Sequence, residues 1–485
     1  MCGGIWGAGA DGWEGEAEVK VLRILPVGVF VLTGACAVKT PESRMAAVAT
    51  GVPGRWAATS QGRAGVDRDW IGRFGDSRLK GLVNEAMQNN RDLQASAERV
   101  NRAATAAKIS GSAIRPKAGL GLTGSKEEQK FVGFPFAGGA ITERYGASLD
   151  VSWEVDLWGR VRAGQAADVA EWQAQGFELK AAQSSLAAQI AKAWFALGET
   201  NEQISLARGA LRIRQNTAEA IGDRFERALE REGGTASDLR LAQVDVASAK
   251  ATLAQWEGER EAVLRQIELL VGRYPAGTDL SRSGLPSLPG FPPAGLPSEL
   301  LLRRPDVLAA ERRYAGSGRR VREAELAVFP SLTLNGSMGT TTTSLKDILD
   351  SSFGVWSYGG KVSQSILTGG QLRAEQKGRK ADDRAALAKL QQTVLTAFGE
   401  VEQALVAERY LARREGASAE AATLANEAAA SAAEDYAGGT GDVLTLLAAQ
   451  DRKIVSASQL VTLRRLRLEN RINLHLALGG DFKVR

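Results

Sequence analysis

From Ala147 to Leu157 polar and apolar residues alternate without a fault. Leu149, Val151, Trp153, Val155 and Leu157 fall on one side, and Ser148, Asp150, Ser152, Glu154 and Asp156 on the other. Period-two alternation predicts a strand with one apolar and one strongly hydrophilic face. Leu120 and Leu122 mark its partner. Leu332 and Leu334 against Thr333, Asn335 and Ser337, then Val362 and Ile366 against Lys361, Ser363 and Ser365, give a second pair, with Gln364 interrupting the last run. Strands are expected at about 114–125, 145–157, 329–340 and 358–368, joined by loops from Ser125 to Arg144 and from Thr340 to Gly354. Elsewhere the period changes to seven. Ile190, Leu197, Ile204, Leu211, Ala218 and Phe225 recur without a miss. Three more seams run from Val246 to Leu270, broken by Arg260, from Leu387 to Leu411, broken by Glu408, and from Leu447 to Leu468. Heptads of this length predict long helices supercoiled on their neighbours. The first, from about Ala166 to Leu229, would measure on the order of 100 Å, a rod that only other helices can cover.

The chain also contains itself twice. Leu157-Trp158-Gly159-Arg160-Val161-Arg162-Ala163 reappears as Thr368-Gly369-Gly370-Gln371-Leu372-Arg373-Ala374. Ile114-Arg115-Pro116 returns as Val328-Phe329-Pro330, and Ala242-Gln243 through Val271-Gly272 as Ala449-Gln450 through Leu478-Gly479. Three matches in the same order at nearly constant spacing mean duplication. Between the halves, Arg273 to Leu300 holds Pro275, Pro286, Pro289, Pro292, Pro293 and Pro297, which suits an extended connector and no helix interior or central strand. The expected division is 36–75 as an N-terminal extended segment, 76–272 as the first repeat, 273–300 as the connector, 301–480 as the second repeat and 481–485 as a tail.

Composition narrows the class. Hydrophobic residues make up 44% and charged residues 24% of the 485 positions, which suits a folded chain. Basic and acidic residues nearly balance, 61 against 56, and the basic ones are scattered as pairs such as Arg312-Arg313 and Arg464-Arg465. A nucleic-acid partner would call for a basic stripe. With two Cys and one His, no metal-ligand spacing arises. His475 lies on an apolar helical stripe and is expected to be structural. Gly119-Leu120-Gly121-Leu122-Thr123-Gly124 fits the dinucleotide-binding glycine pattern, but Lys126-Glu127-Glu128 follows where a helix should open; the glycines belong to a strand. No cofactor and no catalytic residue is expected.

Near the N-terminus Lys20 and Arg23 precede an apolar run, Ile24 to Leu32, that ends in Thr33-Gly34-Ala35-Cys36. This is an export signal, with Cys36 placed for lipidation, although Thr33 stands where a lipoprotein signal carries a large aliphatic residue. Residues 1–18 are Gly- and Trp-rich and acidic, unlike a signal n-region, so 1–35 are expected to be a prefix plus signal peptide, with translation starting near Val19 or Val21. No later run is long and apolar enough for a membrane-spanning helix; any crossing is made by strands.

Four strands cannot close a pore-forming barrel, so the sheet asks for copies of itself. Three copies give twelve strands, with apolar residues toward lipid and Asp150, Glu154 and Lys361 toward a water-filled lumen. Tyr145, Trp153, Phe353, Trp356 and Tyr358 are candidates for interfacial aromatic girdles, or for simple packing on the sheet face.

Trp153-Glu154-Val155-Asp156-Leu157-Trp158-Gly159-Arg160-Val161-Arg162 resembles the strand-to-helix junction of TolC-type outer membrane factors. Arg303-Arg304-Pro305-Asp306-Val307 with Ala309-Ala310-Glu311 is similar to their second-repeat opening, Asn90-Arg91-Asp92-Leu93 with Glu98-Arg99-Val100 to the first, and Leu444-Thr445-Leu446-Leu447-Ala448-Ala449-Gln450 to the entry of the last long helix. With Cys36, the likeness is to the lipoprotein branch typified by OprM and NodT, and it runs from about Trp70 to Gly480. It implies a mainly α chain with membrane β-strands: a homotrimer whose twelve-stranded outer-membrane barrel continues as a twelve-helix periplasmic tunnel, without catalysis. Such a duct works with a periplasmic adaptor protein and an inner-membrane pump of the RND type, exporting drugs, toxic compounds or metals. It also implies a periplasmic aperture at the helix-hairpin tips, here Gly439, Gly441 and Asp442 in the second repeat, with Asp238 the counterpart in the first; both aspartates equally suit helix caps. The rival readings are a duct for a protein-secretion (type I) pump and a non-channel periplasmic coiled-coil scaffold.

Overall fold

The two sequence periods separate in space. The computed structural model describes residues 40–49, 51–58, 69–130, 139–229, 236–280 and 284–482. The N-terminal segment with Cys36 lies outside the described residues, as do 131–138 and the first hairpin tip at 230–235. Among the described residues the alternating segments form one sheet, and the heptad segments form long helices. A short α1 (Ala46–Ala49) precedes α2 (Ser77–Asn89) and α3 (Arg91–Ser112). Then come β1 (Lys117–Lys130), β2 (Gly139–Val155), α4 (Arg160–Leu229) and α5 (Ala236–Val271). After the connector and a single turn, α6 (Pro297–Leu300), the pattern repeats as α7 (Pro305–Leu326), β3 (Ser331–Thr342), β4 (Gly354–Ser363), α8 (Gln371–Gly438) and α9 (Val443–Ala477). The duplication is visible in the lengths: α3 and α7 have 22 residues each, α4 and α8 have 70 and 68, and α5 and α9 have 36 and 35.

The sheet order is β1-β2-β3-β4, antiparallel throughout. Register puts Leu120 opposite Leu149, Trp153 opposite Leu334 and Leu332 opposite Val362 on one face. On the other face Asp150 stands opposite Ser337, and Glu154 opposite Thr333, which in turn faces Lys361. The strands depart from the expected bounds in two places. The first hairpin continues to Lys130 and Gly139, well past 125 and 145, because the backbone ladder goes on pairing after the apolar alternation stops; beyond Tyr145 its formerly apolar face carries a Lys126–Glu143 ion pair of 2.6 Å. The fourth strand starts earlier, at Gly354, and stops at Ser363, just before Gln364, leaving Ile366 outside it and 90% exposed. The glycines from Gly119 to Gly124 all lie in β1.

The long helices form a slab in which α5 packs on α4, α4 on α9 and α9 on α8, while α3 and α7 lie along the first part of α4 and α7 also packs on α8. Its edges are α5 and α8, as the sheet's edges are β1 and β4. Two apolar cores follow the repeats. One gathers Trp70, Phe74, Trp194, Phe195 and Ile267; the other gathers Trp56, Val307, Leu390, Val394 and Leu474. His475 is fully buried, its ring stacked 6.0 Å from Trp70. Residues 44–49 and 51–58 strap the second core. Arg44 reaches Asp383 at 2.5 Å and lies 3.6 Å over the Tyr314 ring. Glu402 accepts from the amides of Ala57 and Ala58. No helix among the described residues is long and apolar enough to cross a membrane.

Candidate functional site

Three places carry the chemistry: the elbow between sheet and helices, the two faces of the sheet, and the hairpin tip. At the elbow the chain must turn from β2 into α4 within four residues. Gly159 makes the turn with φ +81°, a region that costs other residues about 1–2 kcal/mol. Asp156 then accepts from the amides of Val161 and Arg162 at 3.0 Å each, satisfying two orphan donors of the first helical turn. Trp158 donates Nε1 to the Pro330 carbonyl at 2.8 Å and stacks on Phe329. Trp153 donates to the Ile114 carbonyl at 2.8 Å, and Arg160 donates to Glu154 at 2.6 Å. Every polar group of the Trp153-to-Arg162 motif named here ties the elbow together. In the second repeat two left-handed glycines, Gly369 and Gly370, do the turning.

On the polar face Asp150 accepts from the hydroxyls of Ser148 and Ser337, both at 2.7 Å. Glu154, Thr333 and Lys361 share one cross-strand row. The polar face thus carries charges of both signs, with its carboxylates Asp150 and Glu154 hydrogen-bonded. On the apolar face Trp356 and Tyr358 stack at 5.7 Å and are largely exposed. Register seats them opposite Met338 and Gly336, level with Leu149 and Val151, so they occupy interior rows of the belt. Tyr145 is the aromatic residue at its outer end.

The α8–α9 tip is a four-residue turn, 439–442. Gly439 takes φ +78°. The amides of Thr440 and Gly441 both donate to the Asp435 carbonyl, at 2.9 and 3.0 Å. A Cβ on Gly441 would stand 3.0 Å from Asp435 Cβ and 3.1 Å from Tyr436 N, so a side chain there would push on the last turn of α8 by a few tenths of an ångström. Asp442 caps α9, accepting from the Thr445 amide at 2.9 Å and its hydroxyl at 2.7 Å. Those bonds, the hydroxyl first, hold its carboxyl below the usual aspartate range while it stays exposed. Asp238 lies half-buried in the first turn of α5.

The sequence reading missed the ties that hold the two hairpins together. Near the tip Arg224 on α4 donates to the Tyr436 carbonyl at 2.6 Å, its guanidinium 4.1 Å above the Tyr436 ring. Higher up, Arg214 has a side chain only 4% exposed and bridges three helices: it pairs with Asp245 at 3.1 Å and with Asp451, and donates to Gln450 at 3.0 Å. The signal was available, because Arg214 sits three residues past Leu211, where a heptad seam wants an apolar residue. The two seam faults noted in the sequence have the same explanation. Glu408 accepts from Arg467 at 3.0 Å and Arg471 at 2.8 Å, while Arg260 reaches Asn201 at 2.9 Å and Asp279 at 2.6 Å. Among the described residues no His, Cys, Asp and Glu cluster could hold a metal.

A family described as outer membrane efflux protein matches residues 82–273 and 296–480. The chain is 29% identical over 467 residues to outer membrane protein OprJ of Pseudomonas aeruginosa, covering 94% of this chain and 95% of that one. It is 28% identical over 418 residues to the toluene efflux pump outer membrane protein TtgF of Pseudomonas putida, covering 85% of each. Among solved structures, the outer-membrane channel OprN superposes with a TM-score of 0.83 at 28% identity, over 91% of this chain and 99% of that one.

Proposed function

The chain belongs to the outer membrane efflux protein family, and from that membership we propose that three copies of it form a passive duct for small molecules across the outer membrane and periplasm. Its fold is TolC-like and its place is the outer membrane. What carries the trimer is the pair of open edges: β1 and β4 on the sheet, α5 and α8 on the slab. Four strands leave both edges unpaired, an arrangement that a hydrocarbon core does not tolerate. Joining β4 of one copy to β1 of the next, three times over, closes twelve strands and brings twelve long helices into a tube. In that assembly the face with Leu120, Leu149, Trp153, Trp356 and Tyr358 meets lipid, and Asp150, Glu154 and Lys361 line the lumen. Tip residues Asp442, Gly439 and Gly441, with Asp238 of the other hairpin, form the aperture; three exposed carboxylates at a narrow point favour cations and repel anions. The elbow at Trp158, Gly159 and Arg160 positions barrel on tunnel.

The partners are a periplasmic adaptor and an RND-type inner-membrane pump, which supplies the energy; the duct performs no chemistry. Cys36 is read as the acylated anchor. Arg44 is held beside Asp383, twelve residues or roughly 18 Å down α8 from its start, and the eight residues from Cys36 to Arg44 span up to about 28 Å, enough to reach back to the membrane. The test is a deletion strain challenged with a panel of toxic compounds, beside an Asp442→Ala strain. Increased sensitivity is expected on deletion; unchanged sensitivity to every compound would refute the export reading.

A further inference from the structure

The loop between β3 and β4, residues 343–353, stands where the strands run out of apolar residues. By register the two outermost rows of the apolar face on this side are Thr340, opposite Ala147 and Gly354, and Thr342, opposite Tyr145. Two hydroxyls and a bare glycine make a poor lipid surface. On these rows the loop folds back. Thr340, whose side chain lies on the apolar face, donates its hydroxyl to the Ile348 carbonyl. Thr342 accepts from the Ser344 amide at 3.2 Å and is only 5% exposed, whereas Thr341, on the opposite face, is open. The 3-10 turn Ser351–Phe353 also packs against β3. The loop therefore leans over the apolar side of the sheet and away from its polar side. It presents Leu345, Leu349 and Phe353, which are 62%, 83% and 41% exposed, with Lys346 exposed beside them.

The other hairpin carries charge at the corresponding level: past Tyr145 it runs on as a ladder whose formerly apolar face holds the Lys126–Glu143 pair beside an exposed Ile141. Three large apolar side chains gathered on a rim continuous with a lipid-facing belt call for a different environment.

We propose that residues 343–353 form a lip embedded in the outer half of the bilayer, where Leu345, Leu349 and Phe353 continue the lipid-contact surface of β3 and β4. This rests on the reading of the apolar sheet face as the lipid surface. The lip restores the belt where Thr340, Thr342 and Gly354 leave it thin, and Lys346 reaches outward to the headgroups along its apolar stem. Each trimer would carry three such lips, fixing how deeply the barrel sits.

The test uses the full chain with Cys2 and Cys36 replaced by Ser and the trimer reconstituted in dioleoylphosphatidylcholine vesicles. A nitroxide is placed at Leu349→Cys, with Leu120→Cys as the belt reference and Lys361→Cys as the lumen reference. Oxygen concentrates in lipid and a nickel chelate stays in water. The oxygen-to-nickel accessibility ratio at 349 is expected to lie severalfold above that at 361 and to approach that at 120. A ratio equal to that at 361, with 120 still lipid-like, overturns the lip. An immobilised label at 349 shielded from both reagents also overturns it, and shows a protein contact such as a second copy. A water-like ratio at 120 would refute the membrane reading itself, and this inference with it.

Discussion

Replacing Arg224 by Ala should open the tip. Arg224 ties the two hairpins together through a charge-assisted bond of 2.6 Å to the Tyr436 carbonyl, a longer one of 3.4 Å from the same nitrogen to the Ala437 carbonyl, and a cation–π contact at 4.1 Å to the Tyr436 ring. Because Arg224 is exposed, all belong at the low end of their ranges. The cation–π contact contributes about 0.5–1 kcal/mol, and the shared bond to the two carbonyls roughly another 0.5–1. That is about 1–2 kcal/mol per protomer. If the three tips of a trimer open together, the closed state loses about 3–6 kcal/mol, which shifts the closed-to-open ratio by roughly two to four powers of ten. The assay is single-channel conductance in planar bilayers, where Arg224→Ala should show long open dwells absent from the parent. The structure also fixes an order among variants. Tyr436→Phe keeps both the ring and the backbone carbonyl, so it should behave as the parent. Tyr436→Ala loses only the ring and should fall between. A closed Arg224→Ala channel, or a Tyr436→Phe channel as leaky as Arg224→Ala, would refute the latch.

Two further outcomes follow from neighbouring sites. Glu408→Ala leaves Arg471, whose side chain is 3% exposed and whose charged form burial already disfavours, without its anion. Stability should fall by about 3–5 kcal/mol, read as an earlier loss of helical circular dichroism on heating, with Glu408→Gln falling less. At the α8–α9 tip Asp442 has a lowered pKa, so its charge, and with it the cap, is complete above the ordinary aspartate value and lost only as pH falls through the lowered one. Cation preference measured from reversal potentials should therefore hold from pH 7 down to roughly pH 4.5. Asp442→Asn, which still caps the helix, should reduce it throughout.

What the sequence made legible was whatever repeats. Alternation from Ala147 to Leu157 fixed which side chains share a face, and the heptads from Ile190 to Phe225 fixed the rod, because both periods follow from backbone geometry alone. The end of the first hairpin was not legible, since antiparallel pairing beyond Tyr145 needs no apolar pattern. Nor was the depth of Trp356 and Tyr358, which depends on the register between β3 and β4. The Arg224–Tyr436 tie joins residues 212 apart and leaves no local trace. Arg260 and Glu408 did leave one. They were visible as faults in a seam, and a charged residue in an otherwise apolar heptad deserves a search for its partner before it is written off as an interruption.

The sheet's middle seam has a consequence for how the chain is built. Each hairpin closes locally, but the β2–β3 seam joins residues as distant as Asp150 and Ser337, 187 apart. Between them run α4, α5, the extended connector and α7, and α7 packs along α4 so closely that a Cβ on Gly316 would stand 3.2 Å from Ala170, with Arg313 held between Glu171 and Glu178. Loop closure of that length is slow until something brings the ends together, and the packing of α7 along α4 is what does so. The helical half is thus a jig on which the membrane half is aligned, and damage to the α4–α7 packing would appear as a barrel that never forms.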